Sequence, residues 1–194
     1  MNLDHIFIDL AVSDPDPAKG EILAIAAVRT DRKGKVLAAF SDKTSRDDDE
    51  YSDADFKAAI KGMEDVILAK SFETSYIVVA HFAEIDRLFL KMACDRISHK
   101  PFPKRAWLDT AQLAWPLVYN DMISERTLDS LCVHFDIERK ADMIDTATGD
   151  CEALVRVYWA MMSRYKTALA GEEMVRSVGG ETLIKARKML GGFF

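Results

Sequence analysis

A mixed-sheet α/β fold is what the order of hydrophobic segments predicts. Three apolar β-type runs follow one another with short turns between them. A fourth β-branched run precedes a helical pattern, and strand and helix signals alternate from there.

The first run, "HIFIDLAV" (5–12), reads as a buried strand, and "DPDPAKG" (14–20) as a turn set by Pro15, Pro17 and Gly20. "EILAIAAVRT" (21–30) is the second strand, "DRKGK" (31–35) a hairpin turn and "VLAAFSD" (36–42) the third strand, which together make an antiparallel meander. The acidic stretch 45–55 is expected as a solvated loop. From Asp53 to Lys70, Phe56, Ile60, Met63 and Ile67 recur at helical spacing. "SYIVVAH" (75–81) is a strand, and 83–97 a helix with Ile85, Leu88, Phe89 and Met92 expected on one apolar face. After a loop at 99–105, "AWLD" (106–109) is a short strand that opens a helix at Thr110. Residues 126–137 form another helix, and 138–149 are polar. A long amphipathic helix starts near Asp150, with Leu154, Val157, Tyr158, Met161 and Tyr165 expected inside. The tail 172–194 reads as one more helix ending in "GGFF". The expected division is a domain at 1–170 and a helical tail at 171–194.

With 194 residues, 49% of them hydrophobic and 30% charged, the chain suits one ordinary globular domain. No apolar run approaches the ~20 residues of a membrane-spanning helix, and Asp4 stands where a signal peptide would be basic. The cysteines, Cys94, Cys132 and Cys151, are odd in number and widely spaced. They are expected as buried thiols, against a disulfide framework or zinc site and in favour of a cytoplasmic setting. A net charge of −6 argues against a broad basic surface for nucleic acid. It leaves room for an enzyme that meets phosphates through metal ions.

Three aspartates stand out by position. Asp86 and Asp150 fall in first helical turns, where the helix dipole alone would favour an acid. Asp9 lies inside an apolar strand, where a carboxylate is costly unless a cation or hydrogen bonds compensate it.

These positions sit in segments that resemble a known family. "FIDLAVSDPDPAKGEILAIAAV" resembles the opening of the DnaQ-like (DEDD) 3′–5′ exonucleases, hydrophobic-x-Asp-x-Glu-Thr followed by a turn and a second strand. "VVAHFAEIDRLFL" (78–90) resembles their second motif, with Asp86 in the acidic position. "WLDTAQLA" (107–114) and "RTLDSLCVHFDI" (126–137) are similar to the stretches between motifs, and "DTATGDCEALVRVYWAM" (145–161) to the third motif, with Asp150 at the acid. The likeness runs in order from residue 5 to about residue 162. It implies a ribonuclease H-like α/β fold, a mixed five-stranded sheet flanked by helices.

In that family four carboxylates hold two divalent ions, and a histidine or tyrosine activates water. The resemblance therefore implies Mg²⁺ or Mn²⁺ held by Asp9, Asp86 and Asp150. It also implies Asp9, Asp86, Asp145 and Asp150 as the catalytic set, and substrate contacts at Ala11, Val12 and Phe82. The pattern departs at two of these positions. Ala11 stands where the first motif has Glu, and Asp145 where the third has His. Phe82 replaces a frequent Asn and Val12 a Thr. An aspartate with an ordinary pKa near ~3.9 is a weak base at neutral pH. Ala11 is compatible with engineered inactivation, with natural loss of activity, or with a rearranged working site.

The function implied is metal-dependent 3′–5′ exonucleolysis at single-stranded DNA or RNA ends, releasing nucleoside 5′-monophosphates, with hydrolysis weakened or lost in this chain. The alternative is a catalytically dead module that binds nucleic acid or a protein partner. His81 reads as a structural residue, His134 as a packed or surface histidine, and His5 as a flank of the first strand. The tail "RKMLGGFF" (187–194) resembles a sliding-clamp-binding peptide with Leu190, Phe193 and Phe194 in register; folding onto the core or a second subunit is the plainer expectation.

Overall fold

The structure is a computed structural model that describes residues 3–46, 50–67, 75–100 and 106–177. Its contacts divide the chain into two compact units, Met1–Val157 and Tyr158–Phe194. In the first unit, strands β1 (Leu3–Val12), β2 (Ile22–Thr30) and β3 (Val36–Lys43) form the expected meander. A two-stranded ladder, β4 (Ser45–Arg46) with β5 (Glu50–Tyr51), lies where a plain loop was expected. Helix α1 (Asp53–Ile67), strand β6 (Ser75–Ala80), helix α2 (Ala83–Arg96) and strand β7 (Trp107–Asp109) follow. Short helices α3 (Thr110–Leu113), α4 (Trp115–Tyr119) and α5 (Leu128–His134) lead to a 3-10 turn at Ala141–Met143. The long helix α6 (Ala147–Ser177) begins in the first unit and ends in the second. Residues 172–177, expected in a separate tail helix, continue α6, while 178–194 and the clamp-like peptide lie outside the described residues.

The sheet has the order β3-β2-β1-β6-β7. β2 runs antiparallel to β1 and β3, whereas β6 is parallel to β1 and β7 parallel to β6. Alternation along β1 sorts its side chains onto two faces. Ile6, Ile8, Leu10 and Val12 join a core cluster with Phe56, Ile60, Met63 and Ile67 of α1 and Phe89 and Leu90 of α2. Phe7 and Asp9 point to the opposite face, where the Cys151 thiol of α6 reaches the Phe7 carbonyl at 3.7 Å. All three cysteines are buried and none is in a disulfide among the described residues.

The face of α2 differs from expectation. Phe89 is buried, but Ile85, Leu88 and Met92 are exposed. The inner face is made instead by Ala83, Asp86, Phe89, Leu90, Ala93 and Cys94, so small residues bring the helix close to the sheet. On α6, Leu154 and Val157 are buried, whereas Tyr165 is exposed. His5 does not flank β1; it lies inside it, buried and stacked on Phe7. Among the described residues no helix is long and apolar enough to cross a membrane.

Candidate active site

The parallel ladder between β1 and β6 ends at the Phe7–Val79 pair, so Asp9 projects beyond it, at the carboxyl ends of the central strands. Sites gather there in α/β sheets because loops and helix starts converge on that edge. Ala11 shares Asp9's face of the strand, and β1 shifts register against β2 between Ala11 and Val12. Val12 itself packs against the core. Burial pushes the Asp9 carboxyl well above the ordinary carboxylate range; Asp150 pushes it further, and the Arg139 guanidinium opposes them.

Asp86 enters from the first turn of α2, with 8% of its surface exposed. Its Oδ2 is buried and has no hydrogen-bond partner among the described residues. Burial, then the charges of Asp9 and Asp109, hold its carboxyl well above the usual range. Asp109 ends β7 and caps α3: its Oδ1 accepts from the Ala111 N–H at 2.8 Å and from the Phe82 N–H at 3.1 Å. Phe82, the residue before α2, has φ 57°, a left-handed backbone that a residue with a bulky side chain seldom adopts. Asn tolerates that conformation better. His81 beside it is half-buried and bonded through Nδ1 to Thr110 Oγ1 at 2.9 Å, and burial lowers its pKa.

Asp150 sits in the first turn of α6, whose start is fixed by Thr146. The Thr146 hydroxyl accepts from the Gly149 N–H at 3.1 Å. Gly149 has a second duty: a Cβ there would come within 1.9 Å of the Met143 carbonyl oxygen, so only glycine lets the preceding turn fold this tightly onto the helix. Asp145, in that turn, is exposed with φ 58°, and its charge raises the Asp150 pKa. The turn also follows Arg139, whose guanidinium donates to Asp129 Oδ1 of α5 and to Asp150 Oδ1 of α6. Burial works against the Arg139 cation, yet Asp150 and Asp129 outweigh it and push its pKa up. Burial raises the Asp150 pKa, the adjoining Arg139 guanidinium opposes it, and the net direction is upward.

Asp9 thus lies in electrostatic reach of both Asp86 and Asp150, while Asp145 stands at the rim. The donor set does not fit a pair of divalent ions. Ala11 offers no oxygen, Asp150 already faces a guanidinium, and among the described residues no three His, Cys, Asp or Glu side chains converge as a metal site. The buried Asp86 oxygen beside Asp9 is the one feature here that a cation would satisfy. The sequence reading missed Arg139, Asp109 and Gly149 as site residues. Asp109 carried a signal, since it lies in "WLDTAQLA"; Arg139, in an ordinary polar segment, carried none.

No family model matches the sequence, and no curated protein matches it. Solved structures do resemble the fold. Apo exonuclease I is 15% identical with a TM-score of 0.62, over 84% of this chain and 42% of that one. The zinc-bound form of the E. coli ExoI–ssDNA complex is 14% identical with a TM-score of 0.65, over 91% of this chain and 44% of that one. The nuclease domain of 3′hExo, a DEDDh family member bound to rAMP, is 15% identical with a TM-score of 0.65, over 83% of this chain and 92% of that one. The chain spans less than half the length of the exonuclease I chains it resembles. A mixed five-stranded sheet flanked by helices, in the ribonuclease H-like arrangement of these exonucleases, is the fold of this protein.

Proposed function

We propose that this chain captures the 3′ end of single-stranded nucleic acid on an exonuclease fold without hydrolysing it. The observation that carries this reading is the Arg139 guanidinium on Asp150 Oδ1. Two-ion hydrolysis needs carboxylates that face the cations from several sides. Here one such carboxylate is neutralised by an internal cation, and a second is absent because Ala11 has no oxygen. What remains is a pair of acids, Asp9 and Asp86, that hold protons at higher pH than ordinary carboxylates. Asp145, standing where the resembled motif has a histidine, is exposed at the rim. The single-stranded substrate class is supported by the fold's likeness to an exonuclease bound to ssDNA.

A second reading is metal-dependent 3′–5′ exonucleolysis with Mg²⁺ or Mn²⁺. The partnerless buried oxygen of Asp86 next to Asp9 favours it. One experiment separates the two. A labelled single strand is incubated with Mn²⁺ and the wild type, Ala11→Glu, or Ala11→Glu with Arg139→Gln, and both strand binding and mononucleotide release are followed. The capture reading expects the wild type to bind and release nothing, with a Mn²⁺-induced rise in Tm only in the double variant. Release of nucleoside 5′-monophosphate by the wild type overturns it in favour of the enzyme. Failure to bind any strand overturns both.

A further inference from the structure

Beside the carboxylates, a row of flat side chains has no role in the reading above. Arg126 lies with its guanidinium carbon 3.9 Å over the Trp115 ring and 5.8 Å over the Phe82 ring. It is tied in place by a bond from Nη1 to the Ala111 carbonyl at 3.2 Å. Tyr119, one turn along α4 from Trp115, stacks on the indole with centroids 5.3 Å apart and planes 24° from parallel. The Trp115 Nε1 donates to Gln112 Oε1 at 3.2 Å, which fixes the indole's orientation. A packing role would hide these rings, yet Phe82 is 37% exposed, Trp115 36% and Tyr119 77%.

The row is continuous with the candidate site. Phe82 gives its backbone N–H to Asp109, and the charges of Asp109 and Asp9 both act on Asp86. Phe82 is also held in a left-handed backbone, a strained state of the kind that clusters at functional positions.

We infer that Trp115, Tyr119 and Arg126, with Phe82 at the end nearer the carboxylates, form a stacking platform for an unpaired nucleobase of a strand whose 3′ end lies at Asp9 and Asp86. The inference rests on the capture reading and adds the part of the protein that grips the bases. The chemistry selects this occupant. Every base has a flat π face, which an exposed phenol and indole can cover without reading its sequence. A guanidinium stacked in the same row adds a fixed cation next to the strand's phosphates, and it does so in a chain whose net charge of −6 supplies no broad basic surface. Sequence tolerance and a bias toward single strands follow.

The test is fluorescence anisotropy of a short 5′-labelled oligothymidine with the full chain at fixed low salt. An abasic strand of the same length is the comparison. Loss of one stacked base corresponds to about a five- to hundredfold weaker Kd, and that is the expected effect of Tyr119→Ala and of Trp115→Ala. Trp115→Phe, which keeps a ring, stays within about threefold of the wild type. The wild type binds the abasic strand as weakly as Tyr119→Ala binds oligothymidine, and Tyr119→Ala weakens abasic binding no further. Tyr119 is exposed enough that its truncation leaves the fold intact, and a thermal melt of each variant verifies this. Wild-type affinity in Tyr119→Ala and Trp115→Ala, or equal affinity for abasic and thymidine strands, overturns the platform while the capture reading stands. A wild type that binds no strand overturns both.

Discussion

Strand β1 meets an arginine at each end, and the two meetings differ. Near its start, Asp4 accepts from Arg29 Nε at 2.8 Å and Nη2 at 2.5 Å, both residues are buried, and Arg29 Nη1 also donates to the Ile67 carbonyl at 3.1 Å. One guanidinium meets one carboxylate through two bonds, and a third donor is satisfied by backbone. Past the other end, Arg139 bridges Asp129 and Asp150 while Asp9 and Asp86 lie close by, so acids outnumber the cation. The first arrangement is closed and has nothing left to bind. The second is left with an excess of negative charge and a partnerless buried oxygen on Asp86. Acid and arginine are common to both ends; the balance between them separates a structural lock from a site.

The largest effect is expected at the closed end. Arg29→Ala removes the partner of a buried carboxylate, which costs about 3–5 kcal/mol of stability. Urea unfolding measures it. Replacing both members with apolar residues, Asp4→Leu with Arg29→Met, recovers most of that loss, because no unpaired charge remains. A loss below about 1 kcal/mol for Arg29→Ala would erase the contrast between the two ends.

At the open end the sign reverses. Burial and neighbouring acids raise the folded-state pKa of Asp9 and Asp86, so the folded protein holds protons that the unfolded chain has released. The stability these groups contribute is full below the unfolded value near ~3.9 and is lost as pH rises through their raised folded values. Asp86→Asn removes one titrating group and its charge. It is expected to stabilise the protein at pH 7 by about 1–2 kcal/mol and to flatten the decline of Tm above pH 4. An Asp86→Asn protein less stable than the wild type at pH 7 would mean that the carboxylate is compensated after all.

What the sequence makes legible follows the same division. β1 is readable because a continuous apolar run marks a strand buried on both faces, and Asp9 is conspicuous against it. Asp86 and Asp150 are readable because first helical turns are local features. The buried face of α2 is not readable from large residues alone. Ile85, Leu88 and Met92 form one stripe and Ala83, Phe89, Ala93 and Cys94 another, and only packing against the sheet chooses the stripe with small residues. Arg139 is hidden for a different reason. It reaches Asp150 because Gly149 lets the turn at Met143 fold against α6, a tertiary approach with no periodic signal.

Phe82 offers the smallest and most discriminating test, because strain and contact oppose each other in one side chain. Its left-handed backbone costs about 1–2 kcal/mol. Its ring offsets part of that through the Arg126 guanidinium at 5.8 Å and an edge contact with His81 at 4.8 Å, interactions on the order of 0.5–1 kcal/mol at such exposed places. Phe82→Asn relieves much of the strain and loses the contacts, for an expected net gain of about 0.5 kcal/mol. Phe82→Ala keeps the strain and loses the contacts, so it should be less stable than the wild type by about the same amount. A thermal melt of the three proteins orders them Asn above Phe above Ala. Equal melting of the Asn and Ala variants would show that strain does not distinguish this position. With the predicted order, the strain at Phe82 belongs to the open end of β1, where the chain spends stability to keep a ring exposed beside the carboxylates.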